Sequence, residues 1–134
     1  MAPVVPRAGL VAVPRRAPAA VRAAVAAGNR LIGKPYVWGG GHASFSARGY
    51  DCSGSVSYVL HAARLLSAPL DSSGLARWGR SGRGRWITIY ANRGHAFMIV
   101  NGVRLDTSGR PSGPRWRGVT RDTAGYTVRH PAGL

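Results

Sequence analysis

The sequence has one cysteine, one lysine and no glutamate. Its single cysteine, Cys52, excludes an internal disulfide framework and a zinc site built from several cysteines. No apolar run reaches the roughly 18 residues that a membrane-spanning helix needs, so no transmembrane segment is predicted. The best candidate for a signal peptide, residues 8–13, is too short and is followed by Pro14, so no signal peptide is visible.

The length of 134 residues fits one domain, and the 45% hydrophobic and 17% charged fractions are typical of a globular protein. Residues 1–17 mix three prolines with alanine, valine and arginine and show no sustained period. We therefore predict a disordered basic Pro/Ala-rich arm over residues 1–17 and a folded domain over residues 18–134. We expect the protein to be a monomer.

The charge balance is strongly basic, because 19 basic residues against 4 acidic ones give a net charge of +15. Such a charge attracts polyanions, which include nucleic acid, anionic lipid and anionic cell-wall polymer. A coding bias toward arginine explains the same composition. The tryptophans near the arginine-rich loops could stack bases, but we favour buried tryptophans with a solvated arginine rim and predict no specific nucleic-acid partner.

The hydrophobic periodicity predicts helices first and an antiparallel sheet after them, which is the α+β pattern. One amphipathic helix runs from Pro18 to Ile32, and a second opens at Asp51 and ends before Pro69. Loops are predicted over 71–85 and 108–117. Strands are predicted over 86–91, 96–100, 103–106 and 126–129, with a two-residue hairpin turn at 101–102.

Cys52 falls in the first turn of the second predicted helix, where free backbone N–H groups and the helix dipole favour a thiolate. A thiolate nucleophile needs an acid–base partner, and histidine suits that work near neutral pH. His61 lies on the opposite side of the same helix, His130 is near the C-terminus, and His42 is in a loop of undetermined geometry. His95 begins a predicted strand, where its side chain can be aimed rigidly.

No cofactor is predicted. The run of three glycines at 39–41 lacks the Lys-Ser/Thr ending of a phosphate-binding loop and does not follow a strand. Four acidic residues and four scattered histidines give no metal cluster, so no metal site is predicted either.

Three short blocks carry a family resemblance. They are Pro35-Tyr36-Val37-Trp38-Gly39-Gly40, Asp51-Cys52-Ser53-Gly54 and Gly94-His95-Ala96-Phe97-Met98-Ile99-Val100. Their order and spacing resemble the signature blocks of the NlpC/P60 family of cell-wall peptidases, and the resemblance extends over nearly the whole chain apart from the arm. It implies a reduced papain-like α+β domain, with N-terminal helices packed on an antiparallel sheet.

The resemblance also implies roles for individual residues. Cys52 matches the nucleophile, His95 matches the general base that later acts as acid, and Asp106 falls on the position that orients the histidine. The family has histidine most often at that third position, so this would be a less usual Cys-His-Asp set. The implied substrate-binding residues are Tyr36, whose hydroxyl would lie beside the thiolate, and Asp51 and Ser53, which would help to hold the free amine of a stem peptide.

Hairpin geometry supports Asp106 independently of the family. If residues 101–102 form a two-residue turn, Met98 pairs with Leu105, and His95 and Asp106 share one face of the hairpin as diagonal neighbours. Their side chains are then within reach of each other. The alternative is that Asp106 only caps the turn into Ser108.

The residues and the resemblance together predict a thiol protease. The resemblance implies that it hydrolyses amide bonds in peptidoglycan stem peptides, between the side-chain carboxyl of D-glutamate and a diamino acid. The family resemblance implies a secreted protein, extracellular or in the cell wall, with an arginine-rich surface that could hold anionic cell-wall polymer. Two alternatives stay open. One is a catalytically weak or inactive basic module that binds anionic wall polymer or nucleic acid, and the other is a thiol amidase or acyltransferase on another substrate.

Overall fold

The computed structural model describes residues 10–109, 112–118 and 121–134. Its helices are α1 (Ala19–Leu31), α2 (Cys52–Ala62) and α3 (Ser72–Leu75), and its strands are β1 (Arg80–Ser81), β2 (Ile87–Ala91), β3 (Ala96–Val100), β4 (Val103–Asp106), β5 (Arg115–Arg117) and β6 (Thr127–His130). The strands form one antiparallel sheet in the order β1-β6-β2-β3-β4-β5. Within the described ranges no helix combines the length and the apolar character needed to cross a membrane.

The core lies between the helices and one face of the sheet. Alternate side chains of the three central strands point into it, among them Ile89 of β2, Met98 of β3 and Leu105 of β4, all at most 1% exposed. Helix α2 contacts β3 and β4, and α1 contacts α2, β3 and β5. The α+β architecture with N-terminal helices on an antiparallel sheet is therefore confirmed.

The central hairpin has the predicted register. Asn101 and Gly102 both have positive φ, at 49° and 81°, as a type I′ turn requires, and Met98 pairs with Leu105. The tight turn fixes which residues lie opposite each other along both strands. It thereby brings the residues just before β3 and at the end of β4 to the same edge of the sheet.

Helix α2 ends earlier than the apolar stripe predicts. Arg64 takes a left-handed conformation with φ 63°, its N–H bonds the carbonyl of His61, and the N–H of Leu65 bonds the carbonyl of Leu60. These two bonds form a Schellman ending, a turn that glycine usually makes. Because Arg64 makes this turn in place of glycine, the sequence contains no recognisable helix end before Pro69.

The two predicted loops contain further short elements. The loop over 71–85 holds α3 and β1, and the loop over 108–117 holds β5. Helix α3 begins at the N-cap Asp71, whose side chain accepts a hydrogen bond from the N–H of Gly74 at 2.7 Å. Strands β1 and β5 are the two edges of the sheet, and each pairs with a single neighbour.

Residues 10–17 were predicted to belong to a disordered arm, but they pack on the folded domain. Residues 1–9 of the predicted arm lie outside the described residues. Val11 is 7% exposed and Ala17 is 3% exposed, and both belong to the hydrophobic core. The side-chain amide of Asn29 accepts from the N–H of Val11 at 2.9 Å and donates to its carbonyl at 3.0 Å. The side chain of Asn29 thus pairs both backbone groups of Val11. No local hydrophobic periodicity predicts this contact.

Three tryptophans pack on the core. Trp116 is buried, and its indole N–H donates to Asn29 Oδ1 at 2.8 Å. A Cβ at Gly28 would lie 2.3 Å from the indole, so the close packing requires glycine there. Trp78 and Trp86 are partly buried against the same cluster. These three side chains contribute to the core, as we favoured over base stacking.

Candidate active site

The thiol lies at the first residue of α2. Asp51 is the N-cap of this helix, and its carboxylate accepts a hydrogen bond from the N–H of Gly54 at 2.7 Å. The glycine-rich loop packs directly on this turn, since a Cβ at Gly54 would stand 2.0 Å from the carbonyl oxygen of Gly40. Cys52 is therefore held in a rigid first turn, where backbone N–H groups have no partner within the helix.

His95 is aimed by a turn that precedes β3. The side chain of Asn92 accepts from the N–H groups of Gly94 and His95, both at 2.9 Å. The imidazole Nε2 lies 2.8 Å from Asp106 Oδ1 at the end of β4. The structure thus brings His95 and Asp106 together as hairpin geometry predicts, and it leaves Nδ1 as the ring nitrogen available to Cys52.

The electrostatics favour a charged Cys52–His95 pair. Burial raises the pKa of the Cys52 thiol, but hydrogen bonds from His95, Ser72 and the N–H of Ala96 outweigh it and hold the pKa below its ordinary value. Burial lowers the pKa of His95, but the hydrogen bond and charge of Asp106, together with Cys52, raise it to about 9. Both shifts favour the thiolate–imidazolium form of the pair over the neutral form.

Ser72 is a site residue that sequence reasoning missed. It is the first residue of α3, it is 7% exposed, and its Oγ lies 3.7 Å from Cys52 Sγ. A hydroxyl there can donate to a thiolate. The signal available in the sequence is the run Asp71-Ser72-Ser73-Gly74, in which an aspartate followed by small polar residues is typical of a helix start.

Asp106 is fully enclosed by donors. Its Oδ1 also accepts from the N–H and the hydroxyl of Ser108, both at 3.0 Å, while Oδ2 lies 2.7 Å from Arg121 Nη1 and 3.4 Å from Arg104 Nη1. Burial raises the pKa of Asp106, but the hydrogen bonds from His95 and Ser108 and the charges of His95 and Arg121 outweigh it and lower the pKa. The surroundings of Asp106 therefore favour an ionised carboxylate behind His95.

The two residues predicted to hold a substrate amine are themselves bonded to His42. Its Nε2 lies 2.7 Å from Asp51 Oδ2 and 3.0 Å from the hydroxyl of Ser53. Asp51 also accepts from the N–H of Gly39 at 3.2 Å. Asp51 and Ser53 do lie together, but a substrate amine would have to compete with His42, a residue that the sequence left unassigned.

These side chains border one pocket of about 250 Å³ beside the thiol. It is lined by Tyr36, Trp38, Gly39, His42, Asp51, Cys52, Ser53, Asp71, Ser72, Ser73, Arg93 and Gly94. Tyr36 is 42% exposed, and burial followed by the negative charges of Cys52 and Asp51 raises the pKa of its hydroxyl. Trp38 is 89% exposed at the rim. All three predicted substrate-binding residues thus line the pocket that contains Cys52.

In the described ranges, no group of three or more histidine, cysteine or acidic side chains is placed to hold a metal ion.

A scan of protein-family models and a search of curated proteins found no match to this chain. Among solved structures, the chain is similar to the peptidoglycan hydrolase RipB of Mycobacterium tuberculosis, with 26% identity and a TM-score of 0.65 over 88% of this chain and 68% of that one. The P60 domain of antigen MAP1204 from M. avium subspecies paratuberculosis is 25% identical, with a TM-score of 0.63 over 82% of this chain and 93% of that one.

An NlpC/P60 family protein from Bacillus cereus is 20% identical, with a TM-score of 0.60 over 82% of this chain and 39% of that one. This comparison supports similarity of fold only. Three neighbours thus share the arrangement of helices and sheet that carries the Cys52 pocket. The sequence resemblance is confirmed: this chain has the NlpC/P60 fold.

Proposed function

We propose that this protein is a cysteine hydrolase of peptidoglycan stem peptides, with Cys52 as nucleophile, His95 as acid and base, and Asp106 as the residue that orients His95. The observation that carries the proposal is a chain of contacts. The thiol at the start of α2 lies beside His95, and Nε2 of His95 lies 2.8 Å from the buried carboxylate of Asp106. A merely structural cysteine needs neither partner. The similarity to RipB, which is named a peptidoglycan hydrolase, supports the choice of substrate.

In the first half of the reaction, the Cys52 thiolate attacks the carbonyl carbon and forms a C–S bond, which moves the carbonyl electrons onto oxygen. The N–H of Cys52, at the positive end of α2, stabilises that oxyanion. When the tetrahedral intermediate collapses, the C–N bond breaks and His95 gives its proton to the leaving amine. The products are a free amine and a thioester on Cys52.

In the second half, neutral His95 takes a proton from water, and the resulting hydroxide attacks the thioester carbonyl. The C–S bond breaks, the Cys52 thiolate leaves, and the peptide is released with a new carboxylate. Asp106 stays ionised throughout and stabilises the imidazolium each time it forms. The aspartate of serine proteases acts in the same way, since it holds the histidine and is not itself protonated.

The bond that we propose is the one between the side-chain carboxyl of D-glutamate and a diamino acid, as the family resemblance implies. The pocket supports a polar peptide substrate, since its walls present Tyr36, His42 and Ser53 as hydrogen-bonding groups beside the thiol. We also propose that the protein acts outside the cell, at the wall where such peptides occur.

Digestion of purified wall peptides, read by mass spectrometry, tests this function. We expect two products whose masses together exceed that of the substrate by one water, and one of them should end at the D-glutamate carboxyl. Neither product should form with Cys52→Ser or His95→Ala. Asp122→Asn, at an exposed site, is the matched control for charge. A transfer product without added water would favour the acyltransferase alternative, and intact peptide at all enzyme concentrations would favour the binding module.

The exposed arginines support a second, weaker interaction with the wall. Arg77, Arg80, Arg83 and Arg85 lie along the segment that contains β1, and all four are exposed. The chain carries a net charge of +15. We propose that this surface holds anionic wall polymer by charge. Binding to intact wall should then fall steeply as salt is added, because exposed charges are screened beyond about 8 Å at physiological ionic strength. Cleavage of a short soluble peptide should change far less.

A further inference from the structure

Asp106 is shared between His95 and an arginine that the reaction has not used. Arg121 donates through Nη1 to Asp106 Oδ2 at 2.7 Å and to the hydroxyl of Ser108, and through Nη2 to the hydroxyl of Tyr126 at 2.9 Å. His95 holds the other carboxylate oxygen, Oδ1. With Arg104 at 3.4 Å from Oδ2, one negative charge therefore faces His95 and two arginines.

The aromatic side chains behind His95 hold Arg121 in place. Its guanidinium lies 4.8 Å from the centre of the Phe97 ring and 5.7 Å from that of Tyr126. Both rings also contact His95, at centroid distances of 6.2 and 6.5 Å. Cation–π contacts on two rings fix the guanidinium relative to the imidazole as well as to the carboxylate.

This placement is costly for stability. Among the residues that the structure describes, no acceptor meets the buried Nε of Arg121 or that of Arg104. An unsatisfied buried donor is unfavourable, and ion pairs taken out of water contribute little net stability even when well formed. Folding alone does not require two arginines around one carboxylate. The arrangement therefore points to a role for Arg121 other than packing.

We propose that Arg121 is a positioning residue that shares the negative charge of Asp106 with His95 and so keeps the imidazolium acidic enough to protonate the leaving amine. This inference rests on the proposed function, because it assigns a role within that reaction. Orientation of the carboxylate does not depend on Arg121 alone, since the backbone N–H of Ser108 also holds Oδ1 at 3.0 Å. The contribution of Arg121 is therefore mainly its charge.

The direction of the effect follows from the charges around the imidazole. The titratable and charged groups that face it or its carboxylate are Cys52 from α2, Asp106 and Arg104 from β4, Arg117 from β5, and Arg121 and Tyr126 from the segment before β6. Removal of Arg121 takes away one cation and leaves the Asp106 charge less shared. The imidazolium then becomes more stable and the pKa of His95 rises above about 9.

The test compares Arg121→Gln, Arg121→Lys and the unaltered protein by the pH profile of hydrolysis and by NMR titration of His95. We expect Arg121→Gln to lower kcat several-fold with little change in KM, and to move both the alkaline limb and the His95 titration up by about one pH unit. Arg121→Lys keeps the charge and should leave both within a few tenths of a unit. The control is Arg129→Gln, which loses an equal charge and backbone hydrogen bonds to Trp78 and Gly79 on the β1 side of the sheet.

An unchanged or lower His95 titration in a folded Arg121→Gln protein would overturn the inference. So would an Arg121→Lys protein that folds but shifts upward, which also covers the case in which the glutamine variant fails to fold. The NMR titration needs no turnover. A protein that shows the shift but never cleaves wall peptide would therefore refute the proposed function and leave the charge-sharing role standing.

Discussion

Replacement of Asp106 by asparagine removes one charge and keeps the shape of the side chain. The amide oxygen can still accept from His95 and from Ser108, so the imidazole should keep its position. What disappears is the anion that stabilises the imidazolium. Because burial lowers the pKa of His95 and Asp106 is the principal group that raises it, we expect the pKa to fall from about 9 to 6.5 or below.

The size of this change can be stated as a free energy. A difference between about 9 and 6.5, at about 1.4 kcal/mol per pH unit, corresponds to about 3–4 kcal/mol of stabilisation of the imidazolium. That stabilisation adds to folding below pH 6.5 and is lost as the pH rises toward 9, because the folded protein holds the proton more tightly than the unfolded chain. In Asp106→Asn this pH dependence should largely disappear.

Folding must be measured beside activity, since the substitution also leaves Arg104 and Arg121 without their anion. Breaking a buried ion pair in this way costs about 3–5 kcal/mol, which is a large part of the roughly 5–15 kcal/mol that stabilises a domain. We therefore expect a lower Tm but a folded protein at 25 °C. Asp122→Asn removes the same charge from an exposed site and controls for net charge.

The assay is the pH dependence of peptide hydrolysis and of Cys52 alkylation by iodoacetamide. In Asp106→Asn the alkaline limb of hydrolysis should move down by two or more pH units, and alkylation near neutral pH should slow because the thiolate loses its charged partner. The reasoning fails if the limb stays near pH 9 in a folded Asp106→Asn protein while His95→Ala is inactive. Asp106 would then cap the turn into Ser108 and take no part in the reaction.

In the unaltered protein, iodoacetamide should modify Cys52 well below pH 8 and abolish activity, whereas a rate that rises only near pH 8.5, the value of a free thiol, would mark a structural cysteine. Ser72→Ala should raise the pKa of Cys52 and move the acid limb of alkylation upward, since the thiolate loses a donor 3.7 Å away, while Ser73→Ala at the exposed neighbour should not. Asn29→Ala removes three hydrogen bonds and should lower the free energy of unfolding by about 2–3 kcal/mol in urea denaturation, and a loss under about 0.5 kcal/mol would show that residues 10–17 are not anchored there. Gly28→Ala should lower the Tm, because its Cβ meets a buried indole at 2.3 Å, and an unchanged Tm would contradict that packing.

The parts of the fold that follow from local pattern could be predicted from the sequence. Strands β3 and β4 begin and end where alternation and the Asn101-Gly102 turn place them. Strands β1 and β5 were missed, because each is two or three residues long and is defined by its pairing with β6 or β4. Such edges depend on neighbours distant in the chain, which a period cannot reveal.

The candidate site divides in the same way. Cys52, His95 and Asp106 could be selected because helix start, strand start and hairpin register are local features. Ser72 and Arg121 could not, since each reaches the site from a segment with no period of its own. Their contacts exist only once the sheet has assembled.

The distribution of acidic residues explains how so basic a chain builds this site. It has four acids, all aspartates. Asp51 and Asp71 are N-caps, and each accepts a hydrogen bond at 2.7 Å from the backbone N–H three residues on. The first fixes the helix that begins with Cys52, and the second fixes the short helix that begins with Ser72, whose hydroxyl meets the thiol.

Asp106 holds His95, so three of the four acids position the side chains that meet at the sulfur. None of the three is left to neutralise the exposed arginines, whose charge therefore remains available to an anionic partner. Surface charge and site chemistry are then separable. Replacement of the arginines at 83 and 85 by glutamine should weaken binding to wall and leave cleavage of a short soluble peptide unchanged, as measured by pelleting with wall and by kcat/KM. A parallel loss of both would mean that the arginine surface acts at the pocket itself.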